Sequence, residues 1–167
     1  MSFIPRDPVV QNQFCTHDSS QSTTMNAGDV VYLTGSQLVS TVSGTGNEPF
    51  GLCMQAVKAE ITGLPTGYRT LADLGSSDAF TGDPVAVAHL GIYDTTTYIC
   101  DQGVTVITAG EFLYADVDVP GHLVNGTTGS SGGGVAGTGS PAIAVAQNSL
   151  TAVDIAAHAL LRVKLLI

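Results

Sequence analysis

Ala27-Gly28-Asp29-Val30-Val31-Tyr32 recurs 82 residues later as Ala109-Gly110-Glu111-Phe112-Leu113-Tyr114. A third variant, Thr81-Gly82-Asp83-Pro84-Val85-Ala86-Val87, lies between the two. In each, glycine supplies a turn that other residues resist, the acid is expected to stay solvated, and an apolar strand begins. Downstream of the first opening, Pro49-Phe50-Gly51-Leu52-Cys53-Met54-Gln55 has an echo in Pro141-Ala142-Ile143-Ala144-Val145-Ala146-Gln147, at an offset of 92. The ten residues by which the two offsets differ are assigned to a Gly-rich stretch, residues 126–139, which reads as a low-complexity loop. The pattern is that of a repeated β unit that closes on itself, not of a long repeat array.

Working outward, short runs rich in Val, Ile, Tyr, Phe and Leu alternate with Gly, Pro, Asn and Asp clusters. The expected strands are Val30 to Thr34, Gln37 to Val42, Phe50 to Glu60, Pro84 to His89, Ile92 to Ile99, Gly103 to Val106, Phe112 to Ala115, Ala142 to Gln147 and Ala159 to Ile167. Such spacing predicts an all-β barrel or sandwich. Only Thr70 to Leu74 and Leu150 to His158 have a helical aspect, and both are short and weakly capped. Residues 1–26 show neither helical nor strand periodicity; they read as an extended arm, able to reach about 80 Å, with spaced apolar anchors Phe3, Ile4, Val9, Val10 and Phe14. Residues 27–167 then form a single β-rich domain.

With 167 residues, 44% of them hydrophobic, the chain can bury a core without metals or disulfides. Charged residues make up only 11%, and 5 Lys and Arg stand against 14 Asp and Glu, a net charge of -9. That balance argues against holding nucleic acid or an anionic membrane through the protein's own field. The first residues lack the apolar run of a signal peptide, and nothing later approaches the roughly 20 apolar residues of a membrane span, so synthesis in the cytoplasm is expected. Cys15, Cys53 and Cys100 are odd in number and widely spaced, which fits reduced thiols rather than a disulfide framework or zinc ribbon.

Chemical motifs are few. Gly129-Ser130-Ser131-Gly132-Gly133 matches the G-x-S-x-G of hydrolases, but it sits in a glycine run that cannot hold a nucleophile in a strained turn. Gly137-Thr138-Gly139-Ser140-Pro141-Ala142 matches a dinucleotide fingerprint without the βαβ context. Asp116, Asp118 and His122 could offer oxygen and nitrogen to a cation, though solvated loop tips account for them as well. His17, His89 and His158 are isolated in sequence and read as structural, and Asn125-Gly126-Thr127 reads as a turn. No catalytic, cofactor-binding or metal-binding residue is assigned.

Together, the Ala27 to Val31 opening, the Pro49 to Val57 strand, Gly82 to Val87, Ala109 to Tyr114, Pro141 to Gln147 and the apolar end Leu160 to Ile167 resemble capsid decoration proteins of tailed bacteriophages. These are cement proteins similar in role to the head-stabilising protein of phage lambda. The resemblance spans about 140 residues from Ala27 and rests on the order of weak motifs. It implies a small β-barrel or β-tulip-like domain with an extended N-terminal arm. It also implies a homotrimer at three-fold and quasi-three-fold positions on the outer capsid surface of a virion, and an arm laid on the major capsid protein. Catalytic residues and cofactors are absent from such a family. Phe3, Ile4, Pro5, Val9, Val10 and Phe14 are then the candidate capsid contacts. A charge-poor surface suits the role, because interface cores are depleted in charge. The alternatives are another β-rich virion component, such as a head-tail, tail or fibre protein, and a small β-barrel hydrolase or metal enzyme using Asp116, Asp118 and His122.

Overall fold

In the computed structural model, which describes residues 3–5, 11–18, 20, 24–34, 38–41, 48–58, 79–100, 104–116, 118–126 and 141–167, the Gly-acid openings are four-residue turns. Gly28, Gly82 and Gly110 have φ of +95°, +86° and +89°. Each is the third residue of a turn closed by the backbone N–H of the acid: Asp29 to Asn26 O (3.1 Å), Asp83 to Phe80 O (2.9 Å) and Glu111 to Thr108 O (3.0 Å). The residue before each glycine has negative φ, so these are type II turns, in which the third position favours glycine. The carboxylate closes the turn a second time. Asp29 Oδ2 accepts from Asn26 N (2.7 Å), Asp83 Oδ2 from Phe80 N (3.1 Å) and Glu111 Oε2 from Thr108 N (2.9 Å). The acid is therefore a structural lock and not merely a solvated residue; Asp29 is buried outright.

The described residues hold fourteen strands and one helix: β1 (Phe3–Pro5), β2 (Gln11–His17), β3 (Val30–Thr34), β4 (Leu38–Ser40), β5 (Pro49–Cys53), β6 (Val57–Lys58), β7 (Ala79–Phe80), β8 (Pro84–Leu90), β9 (Ile92–Thr95), β10 (Tyr98–Ile99), β11 (Phe112–Ala115), β12 (Leu123–Val124), β13 (Ala144–Ala146), α1 (Ala152–Ala156) and β14 (Leu161–Leu165). The all-β expectation holds. Residues 104–106 are not a strand, and β7 and β12 were not foreseen. The possible helix at Thr70 to Leu74 and the Gly-rich loop, apart from Gly126, lie outside the described residues. Helix α1 is better capped than its sequence suggests: Thr151 and Asp154 form a reciprocal capping box.

The echo in the sequence is the trace of a complete duplication. Strands β2-β4-β3-β5-β8 form a closed barrel. The second sheet runs β1-β9-β14-β13-β11-β12-β10, and β10 continues the chain of β9 after Thr96 and Thr97, so β9/β10-β12-β11-β13-β14 repeats the same circuit. Directions agree at every step. β2 runs parallel to β4, and β10 parallel to β12. β3 is antiparallel to β4 and β5, and β11 to β12 and β13. β8 is antiparallel to β5 and β2, and β14 to β13 and β9. Even an isolated bridge is doubled: Met25 with Val57, and Ile107 with Leu150. We call residues 11–90 repeat 1 and residues 92–165 repeat 2; Gly91 joins them.

Ladder partners fix the register. Val30 faces Leu52 and Phe112 faces Val145, so the offset is 112 − 30 = 82 on one strand and 145 − 52 = 93 on the other. The second echo is thus shifted by one residue from the 92 suggested by matching the prolines. In a strand that shift exchanges the two faces. With the offset at 93, inward residues match inward residues: Val31 with Leu113, Cys53 with Ala146, Val87 with Val163, and Val39 with Leu123, all buried. Repeat 1 is filled by Cys15, Val31, Val39, Cys53, Val85 and Val87. Repeat 2 is filled by Leu113, Ala115, Leu123, Ala144, Ala146, Leu161 and Val163, in one cluster that also takes in Val30, Tyr32, Leu52 and Ala88 from the outer face of repeat 1. The described residues therefore form a closed barrel and a curled sheet that repeats its strand circuit, with the cluster of the second sheet extending onto the outer face of the first.

Residues 11–17 are part of that architecture. Within the expected arm, β2 pairs with β8 from Gln11 to Thr16 and closes the first barrel against β4. β1 adds to the free edge of β9, with Ile4 opposite Asp94. Phe3 and Ile4 with Pro5 lie in β1 and Phe14 in β2, whereas Val9 and Val10 lie outside the described residues.

Candidate interaction surface

The acids and histidines singled out in the sequence mostly serve the turns. Asp116 Oδ1 accepts from Asp118 N (2.8 Å) and Val119 N (3.2 Å), an Asx-type closure leading into a fourth turn, Val119-Pro120-Gly121-His122. There His122 N bonds Val119 O (3.2 Å) and Gly121 has φ of +90°. Asp116 is buried and Asp118 exposed. Among the described residues no three His, Cys, Asp or Glu side chains are placed to hold a metal ion. His17 is buried and its Nδ1 accepts from Gly82 N (3.3 Å). His89 packs edge-on against Phe50, with ring centres 4.5 Å apart, and burial pulls its pKa down. His158 follows α1 with φ of +51°. Asn125 is buried and donates to Val106 O (3.0 Å), so it is a structural side chain. The two glycine-rich motifs lie outside the described residues, Pro141 and Ala142 apart.

The three cysteines are free thiols. Cys53 donates to Gln55 O (3.0 Å), and burial pushes its thiol up to about 12. Cys15 and Cys100 are pushed up by burial as well. None carries the depressed pKa of a nucleophilic thiol. Arg162 grips the buried Asp94 through two bonds, Nε to Oδ1 (2.8 Å) and Nη2 to Oδ2 (3.2 Å), tying β14 to β9.

One buried polar site stands out at the junction of the two repeats. Val30 N donates to Gly121 O (2.7 Å), and Thr97 Oγ1 to Ala27 O (3.4 Å), so the first turn of repeat 1 is clamped by repeat 2. Gly28 is needed there twice over: a Cβ would stand 2.7 Å from Thr95 Oγ1 and 2.9 Å from Thr97 Oγ1. Asp29 sits beneath Gly121, with Oδ1 unbonded, and His122 Nδ1 is likewise unbonded. Burial raises the Asp29 carboxyl to about 6, against the lowering effect of the Asn26 hydrogen bonds and of His122 nearby.

What the sequence reading missed is the outer face of repeat 2. Phe112 is 52% exposed, and Tyr114 and Val145 are half-buried beside the exposed Arg162 and Lys164. The signal was present in the echo itself, since two like turns launch Val30 in one copy and Phe112 in the other.

No helix among the described residues is long and apolar enough to cross a membrane. No family model matches the chain, and no curated protein is similar to it in sequence.

Proposed function

We propose that this chain is a structural protein of a tailed-phage virion, binding the outside of an expanded icosahedral capsid as trimers at three-fold and quasi-three-fold positions and stabilising the shell against internal DNA pressure. The observation that carries the reading is the ordered set of Gly-acid openings, which resembles that of capsid decoration proteins. Their acids act within their own turns: Asp29, Asp83 and Glu111 each bond the turn they close, and Asp154 bonds the cap of α1. That use of carboxylates supports a building role over acid-base chemistry. A shell-binding protein needs only modest contacts per copy, because several engaged together sum to a large barrier. The major capsid protein is the partner proposed, and the segment around Phe3, Ile4 and Pro5 is the proposed tether.

Purified chain mixed with expanded, undecorated capsids of its phage should co-sediment, saturate at a multiple of three copies per set of three-fold positions, and raise the temperature at which the shells rupture. Absence of co-sedimentation would overturn the reading. Removing residues 1–8 tests the tether and spares β2; a longer deletion, through residue 20, would take out a barrel strand and confuse lost binding with lost folding.

A further inference from the structure

Of the three acids that close Gly turns, Asp29 alone is buried outright, at 4% exposed. Its counterpart in repeat 2 spends both oxygens: Glu111 Oε2 accepts from Thr108 N (2.9 Å) and Oε1 from Asn125 Nδ2 (3.4 Å). Asp29 spends one. Its Oδ2 takes both bonds from Asn26, while Oδ1 is buried and carries none. Across the seam between the repeats, His122 Nδ1 is also buried and also carries none. Buried polar atoms without a partner are uncommon enough to call for a reason, and these two belong to facing segments. A Cβ on Gly121 would stand 3.0 Å from Asp29 Cγ, and His122 is the next residue. At the same place the seam is fastened by Val30 N–H to Gly121 O (2.7 Å) and Thr97 Oγ1 to Ala27 O (3.4 Å).

We infer that Asp29 and His122 form a proton-sharing pair that latches repeat 2 onto repeat 1, closed while the pair holds its proton and loosened once that proton is lost to solvent. In the closed state the Asp29 carboxyl O–H donates to His122 Nδ1, which satisfies both atoms without placing a net charge in the seam. Loss of the proton leaves a net negative charge there, which burial opposes. The other groups around the turn do not supply the switch. Cys53 faces Asp29 from β5, but burial pushes its thiol up to about 12, so it stays neutral. The β9–β10 bend brings Thr95 and Thr97, which do not titrate, and Asp116 acts on Tyr32, whose hydroxyl is pushed up as well.

The direction follows from the buried carboxyl. With Asp29 raised from 3.8 to about 6, the proton is held at pH 5 and gone by pH 8, so the latch loosens as pH rises. What yields is local, the bond from Val30 to Gly121 first, with the strand circuits kept. The latch belongs to the free protein in solution, so the capsid reading stands or falls separately, on co-sedimentation.

The experiment is amide hydrogen exchange of the full chain by NMR at half-unit intervals from pH 5 to 8, each rate divided by that of an unstructured chain at the same pH. Gly110 N–H, bonded to Ala146 O (2.7 Å) in the matching turn of repeat 2, is the internal control. Protection of Val30 should fall relative to Gly110 by up to about a hundredfold, the factor that corresponds to a rise from 3.8 to about 6. Asp29→Asn should abolish the fall. His122→Phe should move it to higher pH, because His122 is one of the influences that lower the Asp29 carboxyl. Protection of Val30 that stays level with Gly110, or a fall that survives Asp29→Asn, would overturn the latch. A fall left in place by His122→Phe would mean that Asp29 acts alone and would overturn the pair. The comparison of Val30 with Gly110 is made in the wild type, so it decides the latch even where a variant does not fold.

Discussion

Asp29 should make the protein less stable as the pH rises through the mildly acidic range. Its carboxyl is buried, has one oxygen unbonded and is pushed from 3.8 to about 6 in the folded chain. Between those two values the folded state holds a proton that the unfolded chain has released, so unfolding free energy falls with increasing pH. One pKa unit corresponds to about 1.4 kcal/mol, and the shift therefore sets an upper figure of about 3 kcal/mol lost between pH 3.8 and full ionisation. For a chain of this length that is a fall in Tm of about 6–12 °C from this one group. Asp29→Asn keeps an acceptor for Asn26 N–H and cannot ionise. The assay is urea unfolding of both proteins at half-unit intervals from pH 4 to 8, reading the difference between them, so that acids remote from Asp29 cancel. Relative to the variant, the wild type should lose stability across that window and level off above pH 7. A difference that stays flat, or that favours the wild type as pH rises, would refute the assignment of Asp29 as a buried carboxyl held against its ionised form.

The paired turns give a matched comparison. Gly110→Ala should cost about 1 kcal/mol, the expense of placing an alanine at positive φ, while Gly28→Ala, which also forces a methyl against Thr95 and Thr97, should cost clearly more; equal losses in urea unfolding would contradict the inter-repeat clamp. Gly51→Ala should destabilise by about 3 kcal/mol or more, because its Cβ would stand 2.5 Å from Ala88 O and press on Val87 Cγ1 between β5 and β8. Thr151→Ala should lower stability by about 1 kcal/mol through loss of the capping box, measured the same way. Alkylation of native protein at pH 8 should label Cys100 ahead of the buried Cys15 and Cys53, with all three labelled in urea; rapid native labelling of Cys53 would contradict its burial.

The β class and several strand limits could be read from the chain because turn chemistry is local. Val30–Thr34 and Phe112–Ala115 fall where the Gly-acid openings place them. The same openings disclosed that something was repeated. They could not disclose how far the repetition extends, because β8 and β14 share little more than inward valines at Val87 and Val163, and β2 and β9 share no evident pattern. Their equivalence lies in which strand each one pairs with, a property of the ladder rather than of the side chains. The one-residue error in the second echo has the same origin: prolines at 49 and 141 align by identity, whereas Leu52 and Val145 align by hydrogen-bonding partner. Within residues 1–26, read as an extended arm, the pairing of β2 with β8 could not be anticipated, since a strand like β2, with Asn12, Gln13 and Thr16 among its residues, carries no apolar alternation to announce it.

Divergence between the repeats concentrates in the stretches that join their strands. From Val57 to Val85 repeat 1 inserts an excursion that includes the β6-β7 pair, and from Leu150 to Leu161 repeat 2 inserts the capped turn of α1. Between the strands equivalent to β4 and β5, repeat 2 carries the Gly-rich segment. The strand circuit itself is unchanged, because any slip in its register would turn inward residues such as Leu113 and Val163 out to solvent.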